Sequence, residues 1–192
     1  ADLRIGGLPL GESRLRTTPT PAGLRMDEFS SRGGKQRLSA SGAWTGRGDA
    51  ARTRLSAEVD SDDIGTLLAG LGLAGQIDDG KGRLGMALNW RGAPGDVALA
   101  TLEADVALEA RDGRLLEIEP GAGRVLGLLG IAQLPRRLAL DFRDFFEKGF
   151  AFDRIHGNVR VAGGVARTGN LAIQGPAADI HVSGSADLVA QR

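Results

Sequence analysis

Apolar and polar residues alternate along most of this chain, which is the pattern of β-strands with one dry face and one wet face. Over 179–189, apolar or small side chains occupy every second position, and polar side chains fill most of the positions between them. The same alternation recurs over 37–44, 54–59, 83–90 and 102–109. The pattern predicts about eleven short strands.

Glycine-rich turn signals separate these strands. The chain holds 30 glycines, spread singly rather than in tracts, which is typical of many turns and kinked strands. Short turns join neighbouring strands as hairpins, so we expect antiparallel pairing and a mainly β fold. The predicted turns are Gly33-Gly34, Gly92-Ala93-Pro94-Gly95, Arg111-Asp112-Gly113 and Gly163-Gly164.

Two segments depart from the alternation and predict short helices. Residues 62–73 place apolar side chains at helical spacing, with Ser61 or Asp62 as the expected N-cap. Residues 121–131 are apolar on nearly all sides, so this second helix must be buried or lie against an apolar surface. Pro135 follows the second helix and is expected to end it.

A sheet of about eleven strands has a large apolar face, and two short helices cannot cover it. Four architectures solve this problem: a two-sheet sandwich, a small closed barrel, an outer-membrane barrel and an open, curved groove. The outer-membrane barrel is disfavoured because such barrels carry aromatic girdles, and this chain has no Tyr and 2 Trp. Composition leaves the other three open.

Charge and composition exclude several classes of partner and site. Lys plus Arg and Asp plus Glu each number 24, so no basic field exists to bind a nucleic-acid backbone. The chain has no Cys, which excludes disulfides and thiolate metal sites. It contains no apolar run of about 18 residues. Because it starts at Ala1 without a signal peptide, we interpret it as a segment whose anchor would lie elsewhere.

Two glycine motifs imitate nucleotide-binding loops. Residues 70–75 match G-x-G-x-x-G, but they end a predicted helix, whereas the dinucleotide site requires a turn between a strand and a helix. Residues 75–81 approach a Walker A loop, yet Gly82 replaces the magnesium-binding hydroxyl and a strand follows. We interpret both as chance matches.

The candidate polar residues favour surface roles over chemistry. His156 and His181 are interpreted as surface side chains, with His156 in a bend, rather than as a metal pair. The Arg136-Arg137 pair is interpreted as solvated. Neither a G-x-S-x-G motif nor a Cys nucleophile occurs, so no enzyme activity and no cofactor are expected. Helix capping and solvation, rather than calcium binding, are expected for Asp60, Asp62, Asp63, Asp78 and Asp79.

Several blocks in the C-terminal half carry a family resemblance. They are GRLLEIEPG (113–121), GRVLGLL (123–129), LPRRL (134–138), DF (141–142), Phe145, KGFAFD (148–153), IHG (155–157), GPAADI (175–180) and GSADL (184–188). In this order, over about residues 97–190, they resemble the AsmA-like C-terminal region of the YhdP family. Residues 1–96 fit only as further glycine-punctuated strands. The chain is therefore expected to be a single segment of a longer protein.

The resemblance implies an open β-groove in the periplasm of Gram-negative bacteria, part of a protein anchored in the inner membrane. Phospholipid is the implied partner, carried between the inner and outer membranes, which other parts of the protein would contact. The alternatives are an assembly module with a closed β core that docks other envelope proteins, and a carbohydrate-binding sandwich, which the scarcity of aromatic residues disfavours.

A groove that conducts acyl chains needs a dry lining with few buried polar atoms, and the alternation can supply it. We predict that ten dry-face residues line the groove, although the same residues would form the interior of a closed core. They are Leu138, Leu140, Phe142, Phe150, Phe152, Val159, Val161, Ile180, Val182 and Leu188.

Overall fold

The computed structural model describes residues 4–5, 7–70, 77–116 and 149–189. This part of the chain forms eleven β-strands, one α-helix (α1, Ile64–Gly70) and one turn of 3-10 helix (Gly48–Ala50). The strands are β1 (Arg4–Ile5), β2 (Leu8–Pro9), β3 (Glu12–Thr20), β4 (Gly23–Gly33), β5 (Gln36–Thr45), β6 (Arg52–Ser61), β7 (Ile77–Arg91), β8 (Glu103–Leu115), β9 (Phe150–Ala162), β10 (Val165–Gln174) and β11 (Asp179–Asp187).

Strands β3 to β11 form one nine-stranded sheet in which the spatial order follows the chain order. Every neighbouring pair is antiparallel. Within the described residues the edge strands β3 and β11 do not pair with each other, so the sheet is open rather than closed into a barrel. Register shifts in the β3–β4, β4–β5, β9–β10 and β10–β11 pairs add local bends. The prediction of a mainly β, antiparallel, open and curved sheet is confirmed.

One predicted turn is wrong. Arg111-Asp112-Gly113 lies inside β8, where Asp112 adopts a left-handed backbone with φ of 55°. The strand continues beyond this irregularity, because Gly113 pairs with Phe152 of β9. An Asp tolerates the left-handed conformation, so the triplet bends the strand without reversing it. The other three predicted turns do separate strands.

The N-cap of α1 is Asp63, not Ser61 or Asp62 as predicted. Oδ1 of Asp63 accepts the backbone N–H of Thr66 at 2.9 Å, which is the contact that defines an N-cap. Oγ of Ser61 accepts the N–H of Asp63 at 3.1 Å and so supports the cap from outside the helix. The helix is described as far as Gly70, and its predicted extension to residue 73 lies outside the described residues.

The predicted second helix at 121–131, the Arg136-Arg137 pair and the predicted lining residues Leu138, Leu140 and Phe142 lie outside the described residues. Within the described part, no helix is both long enough and apolar enough to cross a bilayer.

Helix α1 lies on the dry face of the sheet and joins two groups of buried side chains. Ile64 packs with the buried residues of the C-terminal strands, whereas Leu67 packs with Leu10 beside Phe29. The sheet approaches the helix closely at Gly82, where any Cβ would collide with Ile64. Glycine at this strand position therefore makes room for the helix.

Candidate functional site

The strand register aligns apolar residues of seven neighbouring strands in one row on the dry face. We call this set the central apolar row. Adjacent members are direct cross-strand partners, so the row crosses the sheet at right angles to the strands. Its members are Leu15, Phe29, Ala40, Ala57, Met86, Val106 and Val159.

A second row runs beside the central apolar row and crosses all nine strands. Apart from Thr17 at the β3 edge, it carries only apolar side chains and one glycine. Its members are Thr17, Met26, Gly42, Leu55, Leu88, Ala104, Val161, Ala166 and Ala186.

Little of the described chain covers the middle of these rows. Apart from neighbouring strands, the main contacts between elements are those of α1 with β7 and β2. The side chains of Phe29, Met86 and Val106 remain partly exposed, and Leu15 at the β3 edge is 61% exposed. A sandwich would bury these residues under a second large sheet, whereas the described residues add only the two-stranded β1–β2 sheet, with two residues in each strand. The apolar face is therefore accessible from solvent in its central part.

The C-terminal end of the dry face is filled by its own side chains. Phe152 is 2% exposed and packs with Phe150, Ile155, Leu171 and Ile173. Beneath Phe152 the strand β8 carries Gly113, which leaves the space for the ring. This end has the packing of a closed core.

The predicted lining residues that the structure describes all lie on strands β9 to β11 or just after them. Four of them are buried, namely Phe150, Phe152, Val161 and Val182, and three are partly buried, namely Val159, Ile180 and Leu188. Val159 ends the central apolar row, and Val161 belongs to the second row. Contact with a lipid stays a prediction for each of them.

The sequence prediction omitted the accessible residues of the central strands. Phe29, Ala40, Met86 and Val106 were not among the predicted lining residues, although the structure places them in the central apolar row. The signal was present, since Met86 and Val106 belong to alternating segments. What the sequence lacked was the register that aligns separate segments across the sheet.

The wet face carries an alternating row of charges. Arg37 lies opposite Asp60, Asp60 opposite Arg83, Arg83 opposite Glu109, and Glu109 opposite His156. The Arg83 side chain donates from Nε to Oδ1 of Asp60 at 2.7 Å. Opposite charges in cross-strand positions favour this register, and they keep this face wetted.

Glu109 binds two guanidinium groups at once. Its Oε1 accepts from Arg111 at 2.6 Å and from Arg154 at 3.0 Å. The hydrogen bond from Arg111, followed by its positive charge and that of Arg154, lowers the pKa of the Glu109 carboxyl below its usual value. The residue is an ion-pair partner on an exposed surface and not a candidate acid or base near neutral pH.

The two histidines lie in the same wet-face row but two strands apart. Ala172 separates them, since it is the cross-strand partner of both His156 and His181. Two strand spacings amount to about 9.6 Å, which is too far for two ligands of one metal ion. His156 lies within β9 and is partly buried, so its predicted position in a bend was wrong, whereas His181 is exposed.

No group of three or more His, Cys, Asp or Glu side chains within the described ranges could hold a metal ion. The acidic residues have structural contacts instead: Asp60 pairs with Arg83, and Asp63 caps α1 and pairs with Lys35 at 3.0 Å. The amide of Thr66 first, and then Lys35, lower the pKa of Asp63 to about 2.

A depression of about 690 Å³ lies over strands β7 to β10, and its lining includes Met86, Val106 and Val159 of the central apolar row beside Gly85 and Ala107. Wet-face residues such as Asp105 and Arg160 also line it, so its lining is drawn from both faces of the sheet.

Comparison with known proteins gives a family. The family described as YhdP protein matches this chain over residues 1–192. The chain is also similar to the intermembrane phospholipid transporter YhdP of Escherichia coli (strain K12), with 34% identity over 157 residues. That match covers 81% of this chain but only 12% of the relative, so the chain spans a small part of the relative's length. No solved structure matches the chain significantly.

Proposed function

Because this chain belongs to the YhdP family, we propose that its open sheet binds phospholipid acyl chains on the central apolar row and lets them slide between membranes. The similar transporter is named for moving phospholipid between membranes. The accessible apolar face is the feature of this chain that such a task requires.

The continuity of the central apolar row is the observation that carries the proposal. Seven strands at about 4.8 Å spacing make a track of about 29 Å. The hydrocarbon core of a bilayer is about 30 Å thick, so one acyl chain spans about 15 Å and fits within the track. An acyl chain bound there lies across the strands, from β3 towards β9.

The hydrophobic effect explains why a conduit is needed. Exposing about 14 methylenes to water costs roughly 11 kcal/mol at about 0.8 kcal/mol each. The row replaces that water with Leu, Phe, Ala, Met and Val side chains, which offer no hydrogen bonds that would fix one position. A lining of this kind favours sliding over tight binding at a single site.

The proposal extends to the setting of the whole protein. Since the chain covers 12% of its relative, we assign to it one section of a longer conduit. Another section would anchor the protein in the inner membrane, and this section would lie in the periplasm. The role is one of binding and transfer, without catalysis.

A docking module with a closed core is the second candidate. It is favoured by the filled C-terminal end of the dry face, where Phe150 and Phe152 are buried. In that case the accessible part of the central apolar row would be covered by a protein partner rather than by lipid.

Native mass spectrometry of the purified chain, together with organic extraction of the sample, separates the two candidates. We expect phospholipid to copurify with the chain and to appear as adducts of matching mass. Val106→Glu should lose these adducts, whereas Ala107→Glu, which changes the opposite face, should retain them. A chain free of lipid after purification from membrane-containing cells would favour the docking module.

A further inference from the structure

The loop between β7 and β8 is held rigidly at its base. Gly92 donates its N–H to the carbonyl of Ala51 at 3.0 Å, and its carbonyl accepts from Oγ1 of Thr53 at 2.9 Å. Nε1 of the buried Trp90 donates to the carbonyl of Ala93 at 3.0 Å. These bonds fix the loop to strand β6 and to the end of β7.

Two consecutive turns shape the rest of the loop. Asp96 donates its N–H to the carbonyl of Ala93 at 2.9 Å, and its carboxylate accepts the N–H of Ala93 at 2.9 Å. Thr101 donates its N–H to the carbonyl of Ala98 at 3.0 Å. The two turns restrain the backbone from residue 93 to residue 101.

That segment displays apolar side chains to solvent. The four consecutive residues 97–100 are all apolar and all exposed, with Val97 at 54% and Leu99 at 45%. A run of four exposed apolar residues is unfavourable in water unless a partner covers it. The turns and the bonds at the base hold these side chains on the surface.

Cations lie at the base of the same loop. Arg91 is the direct cross-strand partner of Arg52, so two cationic residues are neighbours on the same face of the sheet. The Arg52 guanidinium donates to the backbone carbonyls of Asp49 and Ala51, so these contacts leave its positive charge unneutralised. Like charges in cross-strand positions are unfavourable, and an anion between them relieves the repulsion.

We propose that the loop 92–102 docks on the surface of a phospholipid bilayer, with Val97 and Leu99 inserted among the lipids and Arg52 and Arg91 facing their phosphates. Aliphatic side chains beside cations match the layered chemistry of a membrane interface, with hydrocarbon below and phosphate above. Leu24, which is 39% exposed, lies at the same end of the strands as the loop and adds a further exposed apolar side chain there.

Vesicle flotation tests the proposal with the purified chain and vesicles of phosphatidylethanolamine and phosphatidylglycerol. We expect the chain to float with these vesicles and Val97→Ser/Leu99→Ser to partition at least about tenfold more weakly. Arg52→Gln/Arg91→Gln should weaken binding to these anionic vesicles but not to neutral phosphatidylcholine vesicles. Val189→Ser is the matched control, because it removes an aliphatic side chain that is 56% exposed and belongs to neither the loop nor the central apolar row.

A dye reports insertion directly, since the chain has no native Cys. Val97→Cys labelled with an environment-sensitive fluorophore should shift to the blue on vesicles, whereas Ala107→Cys on the wet face should not. A chain that does not float, a double serine variant within twofold of the parent chain, or an unshifted dye at residue 97 would each overturn the proposal. Val106→Glu should float like the parent chain, which keeps this test independent of the proposed acyl track.

Discussion

Met86 of β7 and Val106 of β8 lie directly opposite each other on the dry face, and both side chains remain partly exposed. Their row neighbours Ala57 and Val159 continue the apolar surface on either side. Direct cross-strand side chains are about 5 Å apart, so the pair forms a continuous apolar surface. A guest chain can reach that surface without any rearrangement of the described strands.

A charge placed in this pair should block lipid binding. We expect Val106→Glu to abolish phospholipid copurification, because an acyl chain would then have to desolvate a carboxylate. The melting temperature should fall by only a few degrees, since the long side chain can carry its carboxylate to solvent from a partly exposed position. Lipid extraction and circular-dichroism melting check both outcomes. Equal lipid content in Val106→Glu and Ala107→Glu would refute the assignment of the binding face.

Phe152 is expected to act on stability instead. Phe152→Ala should lower the free energy of unfolding by about 3–5 kcal/mol, because it empties a site that is 2% exposed and backed by Gly113. Leu15→Ala, at a position 61% exposed, should change it by less than about 0.5 kcal/mol. Urea denaturation of both variants measures the difference. A small effect at Phe152 would show that the C-terminal end of the dry face is open as well.

The strands and their pairing direction could be predicted from the sequence, because alternation and glycine turns act locally. The triplet Arg111-Asp112-Gly113 misled the prediction, since a strand irregularity and a turn use the same residue types. The N-cap is Asp63 and not one of the two predicted residues. Several consecutive polar residues can act as N-caps, and the sequence does not show which of them directly precedes the first turn of the helix.

The candidate site was predicted less completely than the fold. Alternation identified Met86 as a dry-face residue, but its place beside Ala57 and Val106 depends on the register of three strands. The difference between accessible Val106 and buried Phe152 depends on packing that no local pattern encodes. Family resemblance supplied the open groove, because the residues alone left a sandwich and a barrel open as well.

The cap of α1 predicts a dependence of stability on pH. The folded pKa of Asp63 is lowered from 3.8 to about 2, so its contribution is fully present above about pH 4 and is lost as the pH falls towards 2. Asp63→Asn keeps the cap but removes the charge, and should flatten the stability curve in that window. Asp63→Ala should also cost about 1 kcal/mol near neutral pH through the lost cap. Urea denaturation at several pH values measures this dependence. If Asp63 had no such role, the parent chain and Asp63→Asn would lose stability in parallel as the pH falls.

Site-specific photo-crosslinking in cells tests the central claim most directly. A benzophenone amino acid placed at Met86 points to the dry face, and one placed at the next residue, Ala87, points to the wet face of the same strand. Irradiation should attach phospholipid to the chain at position 86 and not at position 87. Equal labelling at the two positions, or protein adducts at position 86 without lipid, would contradict an acyl track on the central apolar row.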